Sequence, residues 1–162
     1  MRSLILFVLL STLLLSCRSY EDTPNCHRRV MIVNEFENSI YVRHSFIYPD
    51  TVDFYTPFSK TDAHIFKVLP NDKSDIPLFM GRDCWEVLIK DKGLVSSDTL
   101  MIYVFDGELI ENISWDIISS EYKVLRRYDV SLEDLQRLNW TITYPPTEAM
   151  RDVKMFPPYG TN

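Results

Sequence analysis

The chain has 162 residues, with 17 Lys and Arg against 23 Asp and Glu, a net charge of −6, and 46% apolar and 13% aromatic side chains. Such a composition is too apolar for a disordered chain, and the length suits one domain around a single core. The acidic balance argues against nucleic acid as a partner, since phosphate binding needs a basic patch, and four glycines leave no glycine-rich phosphate loop.

Arg2 gives a positive start, and Leu4 to Leu15 is an almost unbroken apolar run. The run is too short to cross about 30 Å of hydrocarbon, which takes about 20 helical residues. It reads as a secretory signal over residues 1–16. Leu14-Leu15-Ser16-Cys17 resembles a bacterial lipobox. The resemblance implies that Cys17 becomes the first mature residue, carrying a diacylglyceryl thioether and an amide-linked acyl chain such as palmitate. Two or more acyl chains anchor stably where one does not. A plainly cleaved signal and an uncleaved anchor are the alternatives. Arg18 stands where inner-membrane retention signals carry Asp, so the expected location is the outer membrane, on its periplasmic or surface face. Ser19-Tyr20-Glu21-Asp22 is similar to short acidic export signals on surface lipoproteins of the Bacteroidota.

Beyond Cys17 there are two cysteines, Cys26 and Cys84. An even pair bound for an oxidising compartment suggests a disulfide. The long loop it closes makes it worth roughly 4 kcal/mol on the chain-entropy model. The alternatives are a buried Cys84 thiol beside Trp85 with Cys26 free, or metal binding by Cys26 and His27. Metal binding lacks a second pair at ligand spacing, and no metal or cofactor is expected.

Residues 17–28 are polar, contain Pro24 and read as a lipidated tether to a β-rich domain over residues 29–145. Arg29 to Phe36 alternates as a first strand, and Glu37-Asn38-Ser39 turns the chain into a second, Ile40 to Tyr48. Ile40, Val42, His44, Phe46 and Tyr48 share one face of it. An irregular aromatic stretch reaches Asp62. Further strands are expected over Ala63–Leu69, Asp83–Lys90, Thr99–Phe105, Lys123–Asp129 and Trp140–Tyr144, with turns at Pro70-Asn71-Asp72, Asp91-Lys92-Gly93 and Asp106-Gly107. Ser114 is a natural N-cap for a helix over Trp115–Glu121. Ser131 with Asp134 approximates a capping box for a second helix, with Leu132, Leu135 and Leu138 on one stripe. Residues 146–162 are expected to form a mobile polar tail. The fold class that follows is mainly β: an antiparallel sandwich or barrel-like sheet of about seven strands with two short C-terminal helices.

His27, His44 and His64 stand at no metal-ligand spacing, and no Gly-x-Ser-x-Gly turn is present. His44 reads as a core or rim residue and His27 as part of the tether. His64 beside Asp62 could pair as base and orienter, although near a turn such a pair serves as a local hydrogen bond. Asp50 with Asp53, Asp72 with Asp75, and Glu133 with Asp134 fall in turns or at a helix start, where acids solvate loops and stabilise N-termini. No catalytic residue is assigned. Tyr41, Tyr48, Phe54, Tyr55 and Phe58 cluster around Pro49 and read in two ways, as core packing or as an exposed face for sugar or protein.

The block Tyr128-Asp129-Val130-Ser131-Leu132-Glu133-Asp134-Leu135, continuing through Leu138-Asn139-Trp140-Thr141-Ile142-Thr143-Tyr144-Pro145, resembles a recurrent ending of small lipoproteins from gut Bacteroidota. Ser97 to Asp106, Trp115-Asp116-Ile117-Ile118 and Tyr48-Pro49-Asp50-Thr51 extend the resemblance over most of the mature domain. The resemblance implies an organism class and a location and transfers no activity. The expectation from sequence is a membrane-anchored, non-enzymatic binding or accessory module for an envelope protein or glycan. An envelope hydrolase and a structural subunit of an outer-membrane complex are the alternatives.

Overall fold

The computed structural model describes residues 22–49, 65–77, 84–90 and 98–161. Strands β1 (Arg29–Asn34), β2 (Ile40–Ser45), β3 (Ile65–Val68) and β4 (Asp72–Pro77) precede helix α1 (Trp85–Lys90). Strand β5 (Thr99–Asp106), helices α2 (Gly107–Asn112) and α3 (Trp115–Ser120), strand β6 (Arg126–Ser131) and helix α4 (Leu132–Arg137) follow. Strand β7 (Thr141–Tyr144), a 3-10 turn (Glu148–Met150) and strand β8 (Lys154–Phe156) complete the order. The strands form a five-stranded antiparallel sheet, β3-β2-β5-β6-β8, and a three-stranded sheet, β4-β1-β7, in which β1 and β7 run parallel. The architecture is the mainly β, sandwich-like fold expected, and the described strands do not close into a barrel.

Strand β5 explains the layering. Leu100, Ile102 and Val104 meet Val30 and Ile32 of β1 and Ile142 of β7 in the core between the sheets. Met101, Tyr103 and Phe105 alternate to the other face, where Ile110 of α2 and Ile118 of α3 cover them in a second core. A strand covered on both faces reads as a continuous apolar run rather than an alternating one.

Local chemistry sets the helix ends. Asp106 Oδ1 caps α2 by accepting from the N–H groups of Glu108 (2.8 Å) and Leu109 (3.1 Å). The Ser131–Asp134 capping box opens α4 with both of its hydrogen bonds formed. Helices α3 and α4 close in the same way. Lys123 N–H donates to Ile118 C=O and Tyr122 N–H to Ser119 C=O after α3; Trp140 donates to Leu135 and Asn139 to Gln136 after α4. Each is a Schellman motif whose left-handed residue is Tyr122 or Asn139 (both φ 50°) where most helices use glycine.

Several expectations are corrected. Asp83–Lys90 was expected as a strand, yet Trp85–Lys90 is helix α1. Trp85, Leu88 and Ile89 are its buried stripe, while Val87 is exposed, so the apolar run follows the 3.6-residue period rather than the alternation. Helix α2 was not expected either, and brings the short α-helices among the described residues to four. Asp72, read as part of a turn, begins β4, a polar sheet-edge strand of the kind that resists edge-to-edge pairing. The strand expected at Lys123 begins at Arg126, because the α3 Schellman motif consumes the residues between. Residues 148–156, expected within a mobile tail, carry the 3-10 turn and β8, which pairs with β6. The buried Arg126 guanidinium holds the chain beyond β8 by donating to the carbonyls of Pro157, Pro158 (3.1 Å) and Thr161 (2.8 Å).

Candidate functional site

Near the start of the described residues, Cys26 is fixed to the domain covalently. Cys26 and Cys84 form a disulfide, with Cα atoms 5.0 Å apart and a sequence separation of 58. The bond sets His27 against the start of α1. There the Trp85 N–H donates to the His27 carbonyl at 2.8 Å. The Glu86 carboxylate answers with both oxygens: Oε2 accepts the His27 backbone N–H at 2.8 Å, and Oε1 lies 2.5 Å from Nδ1 of the ring. Because an ionised carboxylate only accepts, this contact places a proton on Nδ1 and leaves Nε2 as the ring nitrogen without a partner among the described residues. The imidazole also stacks on the Trp140 indole, with centroids 4.2 Å apart and planes inclined by 15°. Trp140 reaches this position because it follows the α4 Schellman residue and itself has φ 58°.

This latch forms one wall of an open cleft of about 520 Å³. Its floor is the outward face of the three-stranded sheet. Val30, Ile32 and Asn34 point into the core, so Arg29, Met31 and Val33 point out. Lys73 of β4 lies opposite Val33, and Thr141 of β7 lies opposite Met31. Asn139 and Asp22 border the same space, and Asp75 of β4 lies opposite Met31 on the same face of the sheet. Arg29 makes a loose 3.7 Å ion pair with Asp75 in which both side chains stay accessible. The Lys73 ammonium and the Asn139 carboxamide, both exposed, have no side-chain partner among the described residues. The arrangement is a floor of Met31 and Val33 beside the Arg29–Asp75 pair, with Lys73 and Asn139 exposed at its rim, and it has room to hold a ligand.

Of the aromatic residues singled out from sequence, Tyr41 and Tyr48 are among the described residues, away from this cleft. Tyr41 is buried in the second core, and Tyr48 packs half-buried against it. Burial, reinforced by the adjacent Glu111 carboxylate, raises the Tyr41 phenol above its usual range. Tyr48 accepts a 2.6 Å hydrogen bond from Lys154, beside the ion pair of Arg127 with the buried Asp129 (2.8 Å). Phe54, Tyr55, Phe58, His64 and Cys17 lie outside the described residues. His44 is buried edge-on to Phe46 and Trp85 in the main core, consistent with its expected place. Glu133 and Asp134 open α4, and Asp72 and Asp75 lie on β4.

His27, Arg29, Lys73 and Asn139 carry no local motif, and sequence reasoning missed them as a group. The one available signal was the alternation of β1, which puts Arg29 and Met31 on a face opposite the core. No family model, curated protein or solved structure matches this chain.

Proposed function

We propose that the chain is an envelope lipoprotein, anchored through acyl groups on Cys17 in the outer membrane, whose β domain is a non-enzymatic binding module for an envelope protein or glycan. The observation that carries this reading is the open cleft beside the point where the tether joins the domain, floored by Met31 and Val33 and bordered by the exposed Lys73 and Asn139 side chains. A basic, apolar start ending at a lipobox-like Leu14-Leu15-Ser16-Cys17 supports the anchor. A module held at a membrane by a short tether gains effective concentration for whatever shares that surface.

Affinity capture of the tagged chain from gently solubilised outer membranes, with Cys17→Ala as control, tests the reading. A stoichiometric protein or glycan should accompany the wild-type chain, and the variant should move to the soluble envelope fraction. A Cys17→Ala chain that remains membrane-bound would remove the anchor from this reading, and capture without any partner would remove the module.

A further inference from the structure

On the side of the sandwich away from the cleft, we infer that Tyr122, Arg127 and Phe156 seat an aromatic side chain of a partner protein, with Lys154 meeting a carboxylate beside it in the partner. The strands bring these residues together. Tyr128 points into the core between the sheets, so its neighbours Arg127 and Asp129 point outward. The register then sets Phe156 across from Arg127 and Lys154 across from Asp129 on the same outer face. Helices α2 and α3 cover the β5 part of that face, yet Phe156 on β8 is 51% exposed. Tyr122, the left-handed residue that closes α3, stands at the border. Its ring lies 5.8 Å from that of Phe156 and is inclined to it by 63°. These two rings and the Arg127 side chain line an open pocket of about 300 Å³.

What the pocket offers is ring surface and a fixed guanidinium rather than a set of hydrogen-bonding groups. Buried Asp129 takes Arg127 Nε at 2.8 Å and Nη2 at 3.0 Å, which holds the guanidinium plane and occupies its fork. The Tyr122 hydroxyl is itself buried. A sugar ring would find few partners for its hydroxyls here, whereas an aromatic ring stacks on a guanidinium and packs edge to face on Tyr122 and Phe156. The volume is at the small end of ligand sites, enough for one side chain and too little for an oligosaccharide. Tyrosine and arginine beside an exposed apolar ring are also the residues that dominate protein interfaces.

The charges specify what flanks the incoming ring. Arg127 and Lys154 share one carboxylate, Asp129, whose Oδ2 lies 3.7 Å from the Lys154 ammonium. Lys123, next to Tyr122, is matched by Glu121 at 2.7 Å. Among these described groups one positive charge is left over, and it sits on exposed Lys154, whose ammonium also donates to the Tyr48 hydroxyl at 2.6 Å. A carboxylate next to the partner's aromatic side chain would answer it.

The test is titration of the full lipidated chain in detergent micelles with three blocked peptides, Glu-Trp-Glu, Gly-Trp-Gly and Glu-Leu-Glu, read by NMR on the Phe156 and Tyr122 rings. Glu-Trp-Glu should bind about tenfold more tightly than Glu-Leu-Glu. It should bind about threefold more tightly than Gly-Trp-Gly, with that gap closing as salt is raised. Phe156→Ser should weaken Glu-Trp-Glu about tenfold and leave the melting temperature within a few degrees of wild type, since the side chain is exposed. Phe156→Trp should keep the affinity, and Lys154→Gln should erase the preference for the Glu flanks. Glu-Leu-Glu binding as well as Glu-Trp-Glu, affinity indifferent to Phe156, or no peptide binding would overturn the inference. So would binding of neutral methyl glycosides in place of the peptides, which would assign the pocket to a glycan. In the capture from outer membranes, a partner held equally by wild type and Phe156→Ser would leave the module standing and remove this surface alone.

Discussion

The Tyr128 phenol, in the five-stranded sheet, donates a 3.0 Å hydrogen bond to the Thr143 carbonyl, in the three-stranded sheet. Together with a 3.4 Å contact from the Thr143 N–H to the Met150 sulfur, it satisfies the outer edge of β7. Burial lifts the Tyr128 phenol far above its ordinary value of 10.0. The folded state thus holds this proton more tightly than the unfolded chain. Its contribution is complete below the unfolded value and is lost as pH rises beyond it. Tyr144 is shifted the same way by burial and adds the same sign. Tyr128→Phe should cost about 1 kcal/mol at neutral pH. Urea midpoints between neutral pH and strongly alkaline pH should fall less steeply in the variant, and parallel curves would refute the assignment.

The disulfide should dominate the response to reductant. Reduction, or Cys26→Ala with Cys84→Ala, should lower stability by about 2–5 kcal/mol. Denaturation with and without reductant measures this. Alkylation of the oxidised chain under denaturing conditions should find neither thiol free.

Gly107 is required by proximity. Its N–H donates to the Ser39 carbonyl at 2.9 Å, and a Cβ there would fall on Ser39 Oγ and lie 2.5 Å from that carbonyl oxygen. Gly107→Ala should destabilise by about 1–3 kcal/mol. Adding Ser39→Ala should restore only part of it, because the backbone oxygen remains. Melting temperatures of the single and double variants decide the point.

Asp134 links the start of α4 to pH. Burial raises its carboxyl pKa, but hydrogen bonds from Ser131 and Arg137 outweigh this and hold it below the ordinary value. A depressed carboxyl contributes above the unfolded value, and the contribution is lost as pH falls through the folded one. Ser131→Ala should cost about 1 kcal/mol at neutral pH, and the gap to wild type in thermal melts should narrow in acid.

What the sequence conveyed and what it withheld divide along the range of the interactions. The capping box, the Leu132–Leu135–Leu138 stripe, the alternation of β1 and β2 and the apolar run of β5 are set by neighbours within a few residues, and each was legible. Helix α1 was misread because Trp85 to Lys90 satisfies both periods, and only packing of Trp85 and Ile89 into the core decides between them. Strand β8 was missed because its partner, β6, lies far back in the chain. The cleft was invisible for the same reason. Its latch joins His27 to Glu86, 59 residues away, and to Trp140, still farther along the chain.

The position of the disulfide also decides where mechanical load can travel. Strands β1 to β4 lie inside the covalent ring closed by Cys26 and Cys84. Tension drawn between the N-terminal tether and the C-terminal half passes through the sulfur bridge into the residues that follow α1, so those four strands cannot be pulled straight. Stretched between its ends, the oxidised chain would be shorter than the reduced one by the 58 residues spanned, about 200 Å of contour. Tension applied between the two ends of the oxidised chain would thus leave both the cleft floor on β1 and its Lys73 rim out of the line of force.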